Sequence, residues 1–330
     1  MFGQGIPHGF AGGASSAPVD VDFLVVAGGG SGSTYYYQFR AGAGGAGGLR
    51  TSYGSTSGGG ASAENKITLN PGTTYTITVG AGGSGTGTKV YYSTMGSASS
   101  ISGSDITDIT TVGGGGGGYY SAIFNYSGST GGSGGGGGYR TQAGAITQGY
   151  GGSGTANQGF DGGNGNTYSA GGGGGAGEAA HTVDSDYPER EPGDGLNILI
   201  ASRANAVTSS IGDTFGNVPS SAVYYAGGGH PISGAGQAAS PRSLGGGGVG
   251  LLNGTSYDSV IGAVGRVNSG GGGGGGYNYT ATYSHAGGSG IVILRMPANQ
   301  YSGTVTGSPD TYDEGTDKVV IFKASGTYTH

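Results

Sequence analysis

The chain has 330 residues, 86 of them glycine, with no cysteine, no tryptophan and a formal net charge of −6. Without cysteine there is no disulfide framework and no thiolate metal site. With only 9% charged residues and no basic run, there is no electrostatic footprint for nucleic acid.

The N-terminal stretch MFGQGIPHGFAGG has neither a basic nor an apolar signal region. No apolar run approaches the roughly 20 residues of a membrane span. These features predict a protein made in a cytoplasm, without membrane insertion, that can work outside a cell after lysis. An apolar share of 33% is small for an ordinary core at this length. Low charge nonetheless argues against an expanded coil.

In chain order, residues 1–20 read as an extended arm, and VDFLVV (21–26) as a strand that runs straight into AGGGSG. The glycines after that strand invite a dinucleotide-binding reading. Ser33, however, stands where the third glycine of the fingerprint belongs, and no helical period follows. Gly42, Gly44 and Gly47 do match G-x-G-x-x-G. With glycine at about one position in four, several such matches are expected by chance.

ENKITLNPGTTYTITVGAGG (64–83) reads as two strands around an Asn-Pro-Gly turn, and TYTITV alternates with period two. LNILIASRANAV (196–207) is ambiguous between strand and short helix. SGIVILRM (289–296) and KVVIFKASGTYTH (318–330) read as further strands.

Between the strands lie glycine blocks: Gly113–Gly118, Gly134–Gly138, Gly171–Gly175, Gly227–Gly229, Gly245–Gly248 and Gly270–Gly276. An all-glycine run can adopt polyproline II geometry, with three residues per turn and about 3.1 Å rise. Side by side, such rods can pair their N–H and C=O groups with one another, provided no Cβ intervenes. The expected fold class is therefore mostly β and irregular. Packed polyglycine II helices would be flanked by β-strands, with little or no α-helix. Scaffold positions are Gly113, Gly118, Gly134, Gly138, Gly171, Gly175, Gly271 and Gly275.

Tyrosines stand beside the blocks, either to cap rod ends or to offer rigid contact surface. Recognition candidates are Tyr35, Tyr36, Tyr37, Tyr119, Tyr120, Phe124, Tyr126, Tyr139, Arg140, Tyr187 and His230. They fall in the segments 34–40, 119–130, 139–150, 178–194 and 230–243.

The acidic stretch 178–194 lacks an EF-hand pattern and reads as a solvated loop. DGGNGN (161–166) resembles a calcium-binding repeat only once, with Asn166 in the Asp position. GGSGG (131–135) lacks the strand–turn–helix setting of a nucleophile elbow. The five histidines show no metal-ligand spacing. No catalytic, cofactor or metal residue is expected.

FLVVAGGGSG, AGAGGAGGL, TYTITVGAGGSG, the glycine blocks and AGGSGIVILR, in that order, resemble the glycine-rich domain of tailed-phage tail and fibre proteins. In plan the chain is similar to phage tail-fibre adhesins, whose packed polyglycine II helices present variable loops to the host. The resemblance implies a non-enzymatic bacteriophage virion protein that binds a host surface polysaccharide or outer-membrane protein and contacts other virion proteins. The alternative is a purely structural, self-assembling subunit.

Three parts are expected: the arm 1–20, the glycine-rich domain 21–296 and a C-terminal β segment 297–330. In this family a segment like KVVIFKASGTYT often precedes the VDFLVV strand. Here it comes last. It could pair with the chain's own N-terminal strand or with a neighbouring subunit, which points to a homo-oligomer.

Overall fold

The computed structural model describes residues 17–35, 39–85, 92–119, 126–142, 145–166, 169–181, 191–214, 218–231, 243–250, 264–277 and 285–330. The architecture is mostly β and irregular, with one short α-helix among the described residues. It has two parts: a β-sandwich, and a lattice of glycine-rich segments continuous with it.

The sandwich strands are β1 (Val19–Val26), β2 (Leu49–Thr51), β3 (Ile67–Leu69), β4 (Thr74–Thr78), β5 (Ser99–Ser102), β6 (Ile109–Thr111), β7 (Ile291–Pro297), β8 (Thr304–Val305), β9 (Asp310–Glu314), β10 (Asp317–Phe322) and β11 (Gly326–Thr329). One sheet runs β9-β10-β7-β1-β2, with β3 paired to the start of β1. The other runs β8-β11-β4-β5-β6.

Side chains of β1 alternate between two cores, as strand geometry requires. Val21, Phe23 and Val25 join Leu294, Met296 and Phe322 against Tyr75, Ile77, Ile101 and Tyr328 of the second sheet. Leu24 and Val26 join Ile293 and Ile321 under Ile200, Ala206, Ile211 and Tyr225. The first sheet is thus covered on both faces, which is why VDFLVV and IVILRM are almost uninterrupted apolar runs. On β4 only Tyr75 and Ile77 point inward, while Thr74, Thr76 and Thr78 are exposed. That is the alternation read in TYTITV.

Residues 196–207 combine both conformations that the sequence left open. Leu196–Asn197 pairs with Tyr224–Tyr225, and a helix, α1 (Arg203–Ser209), follows. The Ser202 hydroxyl accepts from the Asn205 N–H, and Ser210 ends α1 in the left-handed region at φ 55°. Glu314 Oε1 accepts from the Ser202 N–H (2.6 Å) and from Asn205 Nδ2 (2.7 Å), which fixes α1 to β9.

The C-terminal segment 297–330 does not form a unit apart. β10 pairs with β7 from Val292↔Phe322 to Pro297↔Asp317, and β11 pairs with β4. β10 is not a direct partner of β1, whose edges are taken by β7 on one side and by β2 and β3 on the other. Strand β1 itself begins at Val19, inside the stretch read as the arm.

The glycine segments are neither helix nor sheet, yet their hydrogen bonding is regular. In 27–33 the donors change partner at every residue and return every third. Ala27, Gly30 and Ser33 donate to Gly48, Gly45 and Gly42. Gly28 and Ser31 donate to Ser97 and Thr94, and Gly29 and Gly32 to Gly288 and His285. The carbonyls of the same segment accept from Gly83, from Gly114 and Gly117, and from Gly273 and Gly276.

Residues 42–48 repeat the pattern. They donate to 112–118, 171–174 and 270–273, and accept from 27–33, from Ser133 and Gly136, and from Gly229. Both segments are therefore ringed by others, and every N–H in 27–33 and 42–48 donates to a backbone carbonyl.

Candidate functional site

One end of the lattice is fixed by the sandwich. Ala27 follows β1, Gly48 precedes β2, Gly80 lies two residues past β4, Val112 follows β6 and Gly290 precedes β7. The hydrogen-bond register then identifies the other end. Gly276 donates to Ser33, Ser33 to Gly42, Gly42 to Gly118, and Gly118 to Gly136. On the adjoining flank Gly165 donates to Gly149, Gly149 to Gly138, and Gly138 to the Tyr126 carbonyl. Gly275 donates to His230, and Gly32 to His285. Residues flanking 36–38, 120–125, 143–144, 167–168 and 278–284 therefore stand together at this far end. So do Pro231 and Gly250, which precede 232–242 and 251–263.

The recognition candidates among the described residues stand at this end, but not all are presented. Tyr35 lies in a two-residue parallel pairing of Thr34–Tyr35 with Gly276–Tyr277. Tyr119 is half-buried. Arg140 sits in the strand Tyr139–Gln142, opposite Phe39. Tyr126, Tyr139 and His230 are buried at 4%, 6% and 5% exposure, so these three side chains are enclosed. For Tyr126 and Tyr139, enclosure is the other use open to a tyrosine beside glycine. Tyr36, Tyr37, Tyr120, Phe124 and Tyr187 lie outside the described residues.

Two exposed rings were not named among the candidate residues, although Tyr150 closes the segment 139–150. Tyr92 is 54% exposed and Tyr150 70%. Tyr92 meets Tyr119 edge to face, with centroids 5.1 Å apart at 81°. The tyrosine pair at 91–92 was the available signal. It lacks an adjoining glycine block and so resembles the others less.

Six of the eight scaffold glycines are required by contact. A Cβ on Gly113, Gly118, Gly134, Gly171, Gly175 or Gly271 would fall on the carbonyl oxygen of Gly96, Tyr126, Gly152, Gly163, Asp194 or Gly246, respectively. At Gly138 the nearest atom would be the Gly118 oxygen at 3.1 Å. Gly275 donates to His230 at 2.9 Å.

The other motifs are occupied by structure. Asp161 Oδ1 accepts from the Gly154 N–H and Asn166 Oδ1 from the Ser169 N–H. Ser133 is fully buried. Asp194 Oδ1 accepts from the Leu244 N–H at 2.7 Å, and burial raises its pKa, with Glu178 and Glu191 adding to the rise. Among the described residues, no group of three or more His, Cys, Asp or Glu could hold a metal ion. No helix there is long and apolar enough to cross a membrane.

Two histidines are built into the far end. His285 is 2% exposed, its Nδ1 lies 2.7 Å from the Gly274 carbonyl, and burial pushes its pKa down to about 4. His230 Nδ1 lies 2.9 Å from the Pro231 carbonyl, and its pKa is also lowered by burial.

A lattice of backbone-paired glycine segments continuous with a β-sandwich is the physical counterpart of the family comparison. A family model described as a glycine-rich domain matches residues 10–297. The chain belongs to the glycine-rich domain family. In this member the family region spans β1 to β7, and the C-terminal strands extend its two sheets. No curated protein matches the chain.

Proposed function

We propose that this glycine-rich domain protein is a non-enzymatic virion appendage of a tailed phage, a tail fibre or related part, that binds the host cell surface. The observation that carries this reading is the gathering of loop-flanking residues at one end of the lattice, away from the sandwich. Loops on a rigid scaffold are where recognition usually resides.

The lattice segments act as packed polyglycine II helices. Their three-residue hydrogen-bond period supports this, since polyproline II geometry has three residues per turn. The partner is a surface polysaccharide or outer-membrane protein. The protein is made in the host cytoplasm and carried on the virion as a homo-oligomer. The sandwich, or the residues before it, contacts other virion proteins.

The test is binding of purified protein to intact candidate host cells, with light scattering on the same sample. The expected result is saturable binding that is lost when 120–125 are replaced by a Gly-Ser stretch, with unchanged melting. Absence of binding together with a growing filament would replace this reading with a self-assembling structural subunit.

A further inference from the structure

We infer that the strip carrying Tyr92, Tyr119 and Tyr150 is a subsite for a neutral saccharide, an inference that rests on the host-binding reading above. Tyrosines serving only as caps are enclosed, as Tyr126 and Tyr139 are. Tyr92 and Tyr150 leave most of their surface in water, although each stands on backbone that is held fast.

The Ser31 N–H donates to the Thr94 carbonyl, the Thr94 N–H to Ser31 Oγ, and Ser93 Oγ to the Gly117 carbonyl at 2.6 Å. Tyr150 is held by its N–H to Ser127 Oγ and by its carbonyl, which accepts from Gly128. Segment 92–97 and segment 126–129 both flank 113–118, through Gly96 to Gly114 and Ser129 to Gly116. The exposed rings are therefore fixed to one rigid support and lose little entropy on binding.

The chemistry of the strip selects the ligand. The described stretches 82–85, 92–97, 113–119 and 126–130 contain no charged residue, and Lys89 lies outside the described residues. A phosphate or uronate ligand would need cationic partners. What the strip offers instead is ring faces bordered by hydroxyls: Ser84 is exposed, with Oγ 3.5 Å from Thr94 Oγ1. A pyranose presents the matching features, a C–H face for the ring and a rim of hydroxyls for hydrogen bonds.

The test uses the full chain, calorimetry against neutral hexose oligosaccharides and against uronate polymers, and binding to intact cells. Binding to the neutral oligosaccharides is expected. Tyr92→Ala should weaken it by about tenfold, the scale of losing one aromatic anchor. Tyr92→Phe, which keeps the ring, should stay within about threefold. Melting should not change, because Tyr92 is exposed. Periodate treatment of cells should abolish attachment, and protease treatment should not. Cell attachment that survives periodate and Tyr92→Ala, or oligosaccharide binding restricted to uronates, overturns the saccharide inference and leaves the host-binding reading standing. No attachment by the parent protein to any candidate host overturns both.

Discussion

Gly44→Ala is expected to destroy the cooperative fold, while Ala46→Gly, two residues away, leaves it intact. A Cβ on Gly44 falls on the Gly30 carbonyl oxygen, and the Gly30 N–H donates to the Gly45 carbonyl. Residues 42–48 are held on every side by hydrogen-bonded backbone, so neither wall can retreat without breaking a neighbouring row.

Overpacking an ordinary core costs about 1–3 kcal/mol because side chains can shift. Here only backbone is available to shift, so a loss of at least about 3 kcal/mol is expected. Ala46 is fully buried and packs with Leu24, Val26 and Ile293. Removing its methyl loses about 0.8 kcal/mol of burial and adds about 0.5–1 kcal/mol of glycine entropy. Denaturant melts of the two variants measure the difference. Equal losses would mean that the 42–48 segment has room the geometry denies it.

The same stretch marks how far the sequence can be read. In GAGGAGGL the larger residues Ala43, Ala46 and Leu49 recur every third position. Each is fully buried, while a Cβ on Gly44, Gly45 or Gly47 would meet backbone and one on Gly48 the Gln158 side chain. That period matches the three-residue period of the segment's hydrogen bonds, and it is easily mistaken for a chance nucleotide-binding match. The strands were legible for a different reason. β4 alternates because one face of its sheet is wet, and β1 and β7 run apolar because both their faces are covered.

What escaped local reading depended on distant partners. Short α1 is stable because Glu314, more than a hundred residues away, fixes its first turn. β10 joins β7 because the edges of β1 are already taken. At the far end, composition indicated tyrosines beside glycine. Only packing separates enclosed Tyr126 and Tyr139 from exposed Tyr92 and Tyr150.

Acid is expected to weaken the fold in a window set by His285. Its ring is buried against the backbone of Gly276, and its carbonyl receives the Gly32 N–H within the lattice. The folded protein holds the imidazole neutral, with the pKa pushed from 6.5 down to about 4. The unfolded chain therefore takes up the proton first. The stabilisation is fully present above about pH 6.5, falls as pH drops toward about 4, and levels off below that. A shift of this size corresponds to about 3 kcal/mol at the acid end.

His230 acts in the same direction, whereas Asp194, with its raised pKa, gains a proton in the fold near the acid end and partly offsets the loss. Lowered carboxylates such as Asp310 begin to lose their contribution only as pH falls toward the ordinary carboxylate value of 3.8, so most of the decline between pH 6.5 and 4 belongs to the histidines. Urea melts across that range should show falling midpoints for the parent protein. In His285→Asn the side-chain amide can still donate to Gly274, but no proton is taken up. That variant should be weaker at pH 8, from lost ring packing, yet decline less between pH 6.5 and 4. A parent profile flat across that interval would mean that His285 is reached by solvent in the folded protein. The Gly32–His285 and Gly276–Ser33 rows would then be open at the far end.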